Sequence, residues 1–271
     1  MFLADAGLPA PPPLSADIDT RILLGTFVVI AVAAVVVAVR ASVRHRDMLP
    51  LVLCGVAMIA AFNEPIYDIL GKIVYAQENA MAFHAFGRSV PWFLVIGYLP
   101  WVGLAPYLVY RAMEAGVSRK RLHISAATLF VSVMCVEIAG NALHLWTYYG
   151  EPPMKYLVVA PQAVTYPMVG GFLLYALAGR LTGWRRVGVG AMITAMILPI
   201  GYAATSWPVY FALYSDLPPI LDWIASATAL GFAAAMAAGA TYLAQQWREA
   251  KIGEQPLGSS VDPQQRPVLS K

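Results

Sequence analysis

Seven long apolar runs dominate this sequence and restrict the folds that it can adopt. Each is about 20 residues long, the length that a helix needs to cross the hydrocarbon core of a bilayer. The runs cover residues 22–39, 49–70, 91–110, 122–144, 159–179, 188–208 and 220–243. Because unpaired backbone polar groups are costly in lipid, we expect helices rather than strands. The predicted fold is all-α: a polytopic membrane protein built as a seven-transmembrane-helix bundle.

The composition supports this fold class. Hydrophobic residues make up 59% of the chain and charged residues 12%, against about 25% charged in an ordinary soluble domain. A soluble domain of this size cannot bury so much apolar surface. Soluble globular, disordered and disulfide-scaffold classes are therefore excluded. Cys54 and Cys135 both fall inside apolar runs, and we expect both to be buried free thiols.

The basic residues predict the orientation in the membrane. Most of the 18 Lys and Arg residues lie in alternate segments, namely 40–48, 111–121, 180–187 and 244–271. The positive-inside rule places these segments in the cytoplasm. The N-terminus is then outside and the C-terminus cytoplasmic, as an odd number of spans requires. The predicted location is the cell inner (plasma) membrane, as a multi-pass protein.

The segments outside the runs divide the chain into three parts. Residues 1–21 are rich in Pro and lack the basic start of a signal peptide, so they are predicted to form an outer N-terminal tail. Residues 22–247 form the seven-helix membrane domain. Residues 248–271 are polar and predict a disordered cytoplasmic tail. Since no nucleic-acid pattern is present, the expected partners are membrane lipid and a hydrophobic small-molecule substrate.

Two acidic residues lie at the end of the second run, in the segment NEPIYD (63–68). Glu64 and Asp68 are four residues apart and share one helix face. Pro65 lacks an N–H and predicts a kink at this point. Two carboxyls close together in a poor dielectric cannot both ionise cheaply, so one is expected to stay protonated near neutral pH. The alternative is that the pair ends the span among headgroups and water.

Other polar residues fall inside or beside the apolar runs. Glu137, Asn141 and His144 have spacings that form one polar stripe on the fourth run. Glu137 lies deep enough to need a partner or a proton, although a structural hydrogen bond to a neighbouring helix is the alternative. Asp222 begins the seventh run, where it either caps the helix or belongs to a site.

Aromatic residues accumulate at the outer ends of the runs. Most are expected to form an interfacial belt, but a few of them can face inward. The inward candidates are Tyr67, Trp146, Tyr149 and Tyr166. Aromatic faces attract cations when desolvated, and a protonated carboxyl is a general acid that needs no cofactor. This combination suits a reaction that passes through a carbocation in a dry pocket.

The residue inventory excludes several membrane-protein classes. A retinal protein needs a Lys in a span, but every Lys lies in a loop or tail. The four His residues are too dispersed for a di-iron or haem centre. A prenyltransferase needs two acidic motifs for Mg²⁺ and diphosphate, and no second motif is present. We therefore expect no metal and no cofactor.

Four segments resemble a known family. They are NEPIYD (63–68), GRSVPW (87–92), EIAG (137–140) and WTYYGEPP (146–153). They resemble the actinobacterial integral-membrane cyclases grouped with the avermectin spirocyclase (AveC-like), and the membrane terpene cyclases of drimentine-type indole sesquiterpenoid biosynthesis. The similarity covers roughly residues 50–170. It implies a prenylated alkaloid or a polyketide spiroketal as substrate, with Glu64, Asp68 and Glu137 as catalytic acids and bases.

The resulting hypothesis is a membrane terpene cyclase, an isomerase-type enzyme of secondary metabolism. Glu64 or Asp68 protonates the terminal isoprene of a farnesylated indole-type substrate, while Glu137 with Asn141 orients the substrate or accepts the final proton. The predicted substrate-binding residues are Asn63, Tyr67, Asn141, His144, Trp146, Tyr149, Tyr166 and Asp222. Three alternatives remain: a polyketide spiroketal cyclase of the same family, a proton-coupled small-molecule transporter using the same acids, and a receptor or scaffold.

Overall fold

A computed structural model describes residues 10–253, and of residues 158–165 and 251–253 it describes the backbone alone. The chain is mostly helical. Within the described part, six helical segments are long and apolar enough to cross a membrane: Thr20–His45, Leu49–Leu70, Trp92–Glu114, Arg119–Ala142, Gly183–Leu213 and Pro219–Ala250. They overlap six of the predicted runs, and the second agrees with its prediction at both ends. A further helix, Lys155–Ala176, overlaps the predicted run 159–179.

The helices are numbered along the chain. They are α1 (Thr20–His45), α2 (Leu49–Ala60), α3 (Glu64–Leu70), α4 (Trp92–Tyr98), α5 (Ala105–Glu114), α6 (Arg119–Ala142), α7 (Lys155–Ala176), α8 (Gly183–Leu213) and α9 (Pro219–Gly253). Helix α7 packs against α5, α6, α8 and α9. A Cβ on Gly171 of α7 would lie 2.5 Å from Cγ1 of Val109 on α5, so this glycine allows the two helices to approach closely.

Four short strands correct the all-α prediction. They are β1 (Ile73–Tyr75), β2 (Met81–Ala85), β3 (Arg88–Pro91) and β4 (Trp146–Tyr148). Strand β1 pairs with β4 and β2 pairs with β3, both antiparallel. We call these two pairs the strand layer. It lies at the end of the bundle where α3 and α6 finish and α4 and α7 begin. The strands are three to five residues long and fall between the apolar runs, so hydrophobic periodicity could not indicate them.

Proline interrupts the second and third spans. The 3₁₀ turn Ala61–Asn63 separates α2 from α3 just before Pro65, at the position where the sequence predicts a kink. The side chain of Asn63 donates to the Ala60 carbonyl at 3.1 Å and stabilises this turn. In the third span, the π-helix Leu99–Leu104 lies between α4 and α5 and carries a proline in its first turn.

The basic connecting segments meet at the end of the bundle opposite the strand layer. Arg186 lies 3.2 Å from the Asp47 carboxylate and donates to the Tyr110 hydroxyl at 2.6 Å. Arg248 donates to the Gly116 carbonyl at 3.0 Å. The structure therefore gathers at one end the segments that the sequence assigns to one side of the membrane.

The structure differs from the sequence prediction at both tail boundaries and in the burial of one cysteine. Part of the predicted N-terminal tail packs beside the strand layer. The backbone N–H of Gln77, two residues after β1, donates to the Leu14 carbonyl at 2.9 Å. Helix α9 continues to Gly253, so the tail boundary predicted at residue 248 lies inside a helix. Residues 254–271 lie outside the described part. Cys54 is buried as predicted, but Cys135 is exposed on α6, because that helix presents most of its surface outward.

Candidate functional site

The predicted acid pair is buried where α3 meets the strand layer. Glu64 begins α3, and Asp68 follows one turn later on the same helix. Their side chains are buried, with residue exposures of 2% and 1%. This burial contradicts the alternative in which the two acids end the span in water. Two adjacent carboxyls in so poor a dielectric favour a state that retains a proton.

Two tyrosines hold the Glu64 carboxyl. The Tyr75 hydroxyl, from β1, donates to Oε1 at 3.2 Å. The Tyr98 hydroxyl, at the end of α4, donates to Oε2. Burial is the largest cause that raises the pKa of Tyr75 well above its usual value, and the nearby Asp68 and Glu64 charges add to it. Tyr75 therefore remains a neutral hydroxyl that can donate.

The Asp68 carboxyl has different surroundings. Neither of its oxygens has a hydrogen-bond partner among the described residues. The Tyr75 hydroxyl also lies near enough to Asp68 to favour its charged form, but the hydrogen bond that it makes with good geometry goes to Glu64. Arg88 of β3 is buried nearby and donates to the Tyr149 hydroxyl at 3.0 Å. Partial burial raises the pKa of Tyr149, while Arg88 lowers it and Asp68 raises it further.

A cavity of about 380 Å³ reaches Asp68 from the strand end of the bundle. Its walls come from the N-terminal prolines, β1 and the β2–β3 hairpin, and include Leu14, Tyr75, Met81 and Arg88. Asp68 is the lining residue that belongs to one of the candidate spans. The volume lies within the range of small-molecule pockets, toward its lower end. The cavity therefore connects the buried acid pair with space for a ligand.

Glu137 lies in a separate hydrogen-bonded cluster. Its Oε2 accepts bonds from Trp146 Nε1 at 2.9 Å and from the Tyr148 hydroxyl at 2.6 Å, both in β4. Burial, and then the Glu137 charge, raises the pKa of Tyr148 well above its usual value. The Trp146 ring packs on Gly140, where a Cβ would lie 2.1 Å from the ring. These contacts favour a structural role, in which Glu137 fixes the strand layer to α6.

The predicted polar stripe on the fourth span is wrong at His144. Helix α6 ends at Ala142, and His144 adopts a left-handed conformation with φ of 51°. Its exposed ring pairs instead with the Asp17 carboxylate at 2.7 Å. Asn141 remains on the helix and is buried, and its side-chain amide donates to the Glu137 backbone carbonyl at 3.0 Å. Leu143 is the C-cap of α6, with φ of −96° and ψ of 9°, so the helix ends before it reaches His144.

The predicted aromatic residues have packing roles. Tyr67 stacks on Tyr202 with ring centroids 4.2 Å apart, and Tyr166 lies 5.7 Å from the same ring. Trp146 stacks on Phe93 at 5.8 Å. These rings are absent from the cavity wall that includes Asp68, as far as the described residues form it. Tyr75 is the aromatic residue that meets both the cavity and the acid pair.

Asp222 lies apart from the acid pair. It is in the first turn of α9, where a negative charge is favoured by the helix dipole. It lines a different cavity, of about 120 Å³, together with Gly150, Leu213 and Ser226. Asp222 is the fourth residue of α9, so it lies too far into the helix to be the predicted N-cap, although its charge is still near the helix N-terminus.

Sequence reasoning did not assign three residues to the site: Tyr75, Tyr98 and Arg88. Arg88 had a usable signal, because it is one of the few basic residues on the predicted outer side and lies within GRSVPW. Tyr75 and Tyr98 had no such signal, since many tyrosines lie near the outer ends of the runs.

The four segments that carry the cyclase resemblance meet in this region. Arg88 of GRSVPW contacts Tyr149 of WTYYGEPP, and Glu137 of EIAG contacts Trp146. Glu64 lies near enough to Glu137 for their charges to interact. Within residues 10–253, no group of three or more His, Cys, Asp or Glu side chains is arranged to hold a metal ion. Comparisons with protein-family models, with curated proteins and with solved structures find no match.

Proposed function

We propose that the protein is an integral-membrane, acid-catalysed cyclase acting on a prenylated hydrophobic small molecule, with Asp68 as the proton donor. One observation carries the proposal: Asp68 is a lining residue of a ligand-sized cavity, and its buried carboxyl has no hydrogen-bond partner among the described residues. Once a bound molecule contacts this carboxyl, the carboxyl can give its proton to that molecule. The four family-like segments around the pair add support.

The proposed reaction needs the substrate and this acid alone. Asp68 gives its proton to a carbon of the terminal alkene, whose π electrons form the new C–H bond and leave a tertiary cation. The next alkene or the indole ring attacks the cation and closes a ring. The final cation then returns a proton from carbon to the Asp68 carboxylate. The product is an isomer of the substrate, and the acid is regenerated.

One part of the cavity wall suits an apolar substrate, while Gln77, His84 and Ser89 are polar lining residues. Leu14, Ile73 and Met81 provide apolar walls for a prenyl chain, and the Tyr75 ring lies beside Asp68. An aromatic face next to the acid stabilises a cation formed there. A prenyl chain bound against these apolar residues would displace the water that would trap the cation as an alcohol. A spiroketal substrate would use the same acid but would release one water on ring closure.

The proposal includes the membrane arrangement. The chain crosses the plasma membrane seven times, with Lys155–Ala176 as the fifth span. The strand layer and the cavity lie outside, and the C-terminus lies in the cytoplasm. The gathering of basic segments at the opposite end supports this orientation.

The test uses detergent-purified protein and a farnesylated indole as the probe. Liquid chromatography with mass spectrometry should detect a product of unchanged mass and altered retention. Asp68→Asn should lower its rate at least about a hundredfold, as expected for loss of a general acid. Asp222→Asn is the matched control, because Asp222 is an acid on a different cavity. Its rate should stay within twofold of the unmodified protein.

Other results would contradict the cyclase. Unchanged turnover in Asp68→Asn would remove the proposed acid. Uptake of the intact probe into proteoliposomes, driven by a pH gradient and without conversion, would indicate the transporter instead. Product formed in detergent, where no gradient exists, separates the two functions. A product lighter by one water, formed from a dihydroxyketone probe alone, would favour the spiroketal cyclase.

A further inference from the structure

The two acids of the buried pair have unequal hydrogen bonding. We infer that Tyr75 and Tyr98 are positioning residues that hold Glu64 as the carboxylate, so that the proton shared by the pair stays on Asp68. The inference deepens the proposed cyclase, on which its catalytic meaning rests, because it explains why the acid that lines the cavity is the one that carries the proton.

The contacts of Glu64 favour its ionised form. Each carboxyl oxygen accepts a bond from a different tyrosine hydroxyl, Oε1 from Tyr75 and Oε2 from Tyr98. Hydrogen bonds to a carboxylate are stronger than those to a neutral acid. Both tyrosines are themselves buried, so water does not compete for their hydroxyl groups.

The contacts of Asp68 favour its neutral form. Both oxygens are inaccessible, and neither meets a donor among the described residues. A carboxylate at this position would lack compensation for the water it gave up. A charge on Glu64, one helical turn away, disfavours a second charge on Asp68. A single shared proton therefore belongs to Asp68.

Three neighbouring groups act against this assignment and have to be outweighed: Tyr75, Arg88 and Glu137. The Tyr75 hydroxyl lies near Asp68 and favours its charged form, but its bond with good geometry goes to Glu64. The Arg88 guanidinium is close enough to attract a charge on Asp68, but it donates to Tyr149 and Gly87, and Asp68 is not among its acceptors. Glu137 is close enough to repel a charge on Glu64. The Glu137 carboxyl bonds to Tyr148 and Trp146, whereas Glu64 has two tyrosine donors of its own, and these direct bonds outweigh the repulsion from Glu137.

Labelling with dicyclohexylcarbodiimide tests the inference without a substrate. A protonated carboxyl adds to the reagent: its oxygen bonds to the central carbon and its proton moves to nitrogen. Acyl transfer to nitrogen then gives a stable acylurea. An ionised carboxyl has no proton for this addition. Fragment mass spectra of the peptide that holds both acids give the ratio of label on Asp68 to label on Glu64. The full-length protein at neutral pH should carry label mainly on Asp68.

Phenylalanine variants remove one donor at a time. Tyr98→Phe should lower the label ratio about tenfold, because one hydrogen bond to a charged group corresponds to roughly that factor. Tyr75→Phe should lower the ratio less, because Tyr75 also lies near Asp68. Tyr148→Phe is the matched control, since its hydroxyl bonds Glu137 instead. The control should leave the ratio unchanged. Tyr98 is not on the cavity wall as described, so a change in reagent access alone would alter the Tyr75 variant and not the Tyr98 variant.

Several outcomes would overturn the inference: label mainly on Glu64 in the unmodified protein, unchanged ratios in both Phe variants, or an equal change in the control. If a Phe variant does not fold, Glu64→Gln decides. Its neutral amide no longer repels a charge on Asp68, so Asp68 labelling should fall severalfold, and unchanged labelling refutes the assignment. The two proposals fail separately, because correct labelling without conversion of the farnesylated indole refutes the cyclase alone.

Discussion

The contacts of Glu137 predict that this residue stabilises the fold rather than transferring a proton. Its Oε2 accepts two bonds from β4, at 2.9 Å from Trp146 and 2.6 Å from Tyr148. Bonds to a charged group contribute about 1.5–3 kcal/mol each, and neutral bonds about 0.5–1.5 kcal/mol. Glu137→Gln keeps an acceptor but loses the charge, so we expect a cost of about 2 kcal/mol. Glu137→Ala leaves two donors unpaired and should cost about 4 kcal/mol.

These costs convert to measurable shifts in the unfolding temperature. At about 2–4 °C per kcal/mol, Glu137→Ala should unfold about 8–16 °C earlier and Glu137→Gln about 4–8 °C earlier. A thiol-reactive fluorophore reports unfolding through the buried Cys54, in a Cys135→Ser background that removes the exposed thiol. The Gln variant should keep most of its cyclase activity below its unfolding temperature.

Two results would refute this reasoning. An Ala variant as stable as the unmodified protein would mean that the two bonds do not fix β4 to α6. A Gln variant that keeps its stability but loses all turnover would return Glu137 to the proton-accepting role that the sequence suggested.

Two more predictions concern packing and topology. Gly140→Ala places a methyl group 2.1 Å from the Trp146 ring, so it should cost about 1–3 kcal/mol, whereas Gly25→Ala meets nothing within 4 Å and should be neutral or slightly stabilising. Equal unfolding temperatures for the two Ala variants would contradict the close contact. For the topology, Asp216→Cys and Arg185→Cys are each made in the Cys135→Ser background. In intact cells, a membrane-impermeant thiol reagent should label Asp216→Cys and not Arg185→Cys, because Asp216 lies on the proposed outer side. The reverse pattern would invert the topology.

The sequence predicted the helical spans well because their signal is local. A run of about 20 apolar residues is required by bilayer thickness alone, and the second run, 49–70, agrees with the observed span at both ends. The kink predicted at Pro65 also depends on a local signal, because proline lacks the backbone N–H that a helix uses. Helix ends were less predictable: residues 143 and 144 include no glycine that would indicate the end of α6, so the polar stripe extended too far and included His144.

The acid pair was predictable, but its partners were not. Glu64 and Asp68 share a face through helical geometry alone. Tyr75 and Tyr98 lie 11 and 34 residues from Glu64 along the chain, and they reach it through the packing of β1 and α4. The cavity depends on the N-terminal prolines folding back over the strand layer. Such long-range packing has no periodic signal in the sequence.

The most direct test of the account is the mass of the product formed in heavy water. Detergent-purified protein is first equilibrated in D₂O and is then mixed, in molar excess, with the farnesylated indole, so that each protein molecule turns over once at most. Exchangeable sites on the product are then washed back in H₂O. If Asp68 protonates the alkene, the cyclised isomer should carry one deuterium bound to carbon, and Asp68→Asn should form none of it. A cyclised product without carbon-bound deuterium, or equal product from the Asn variant, would contradict proton donation by Asp68.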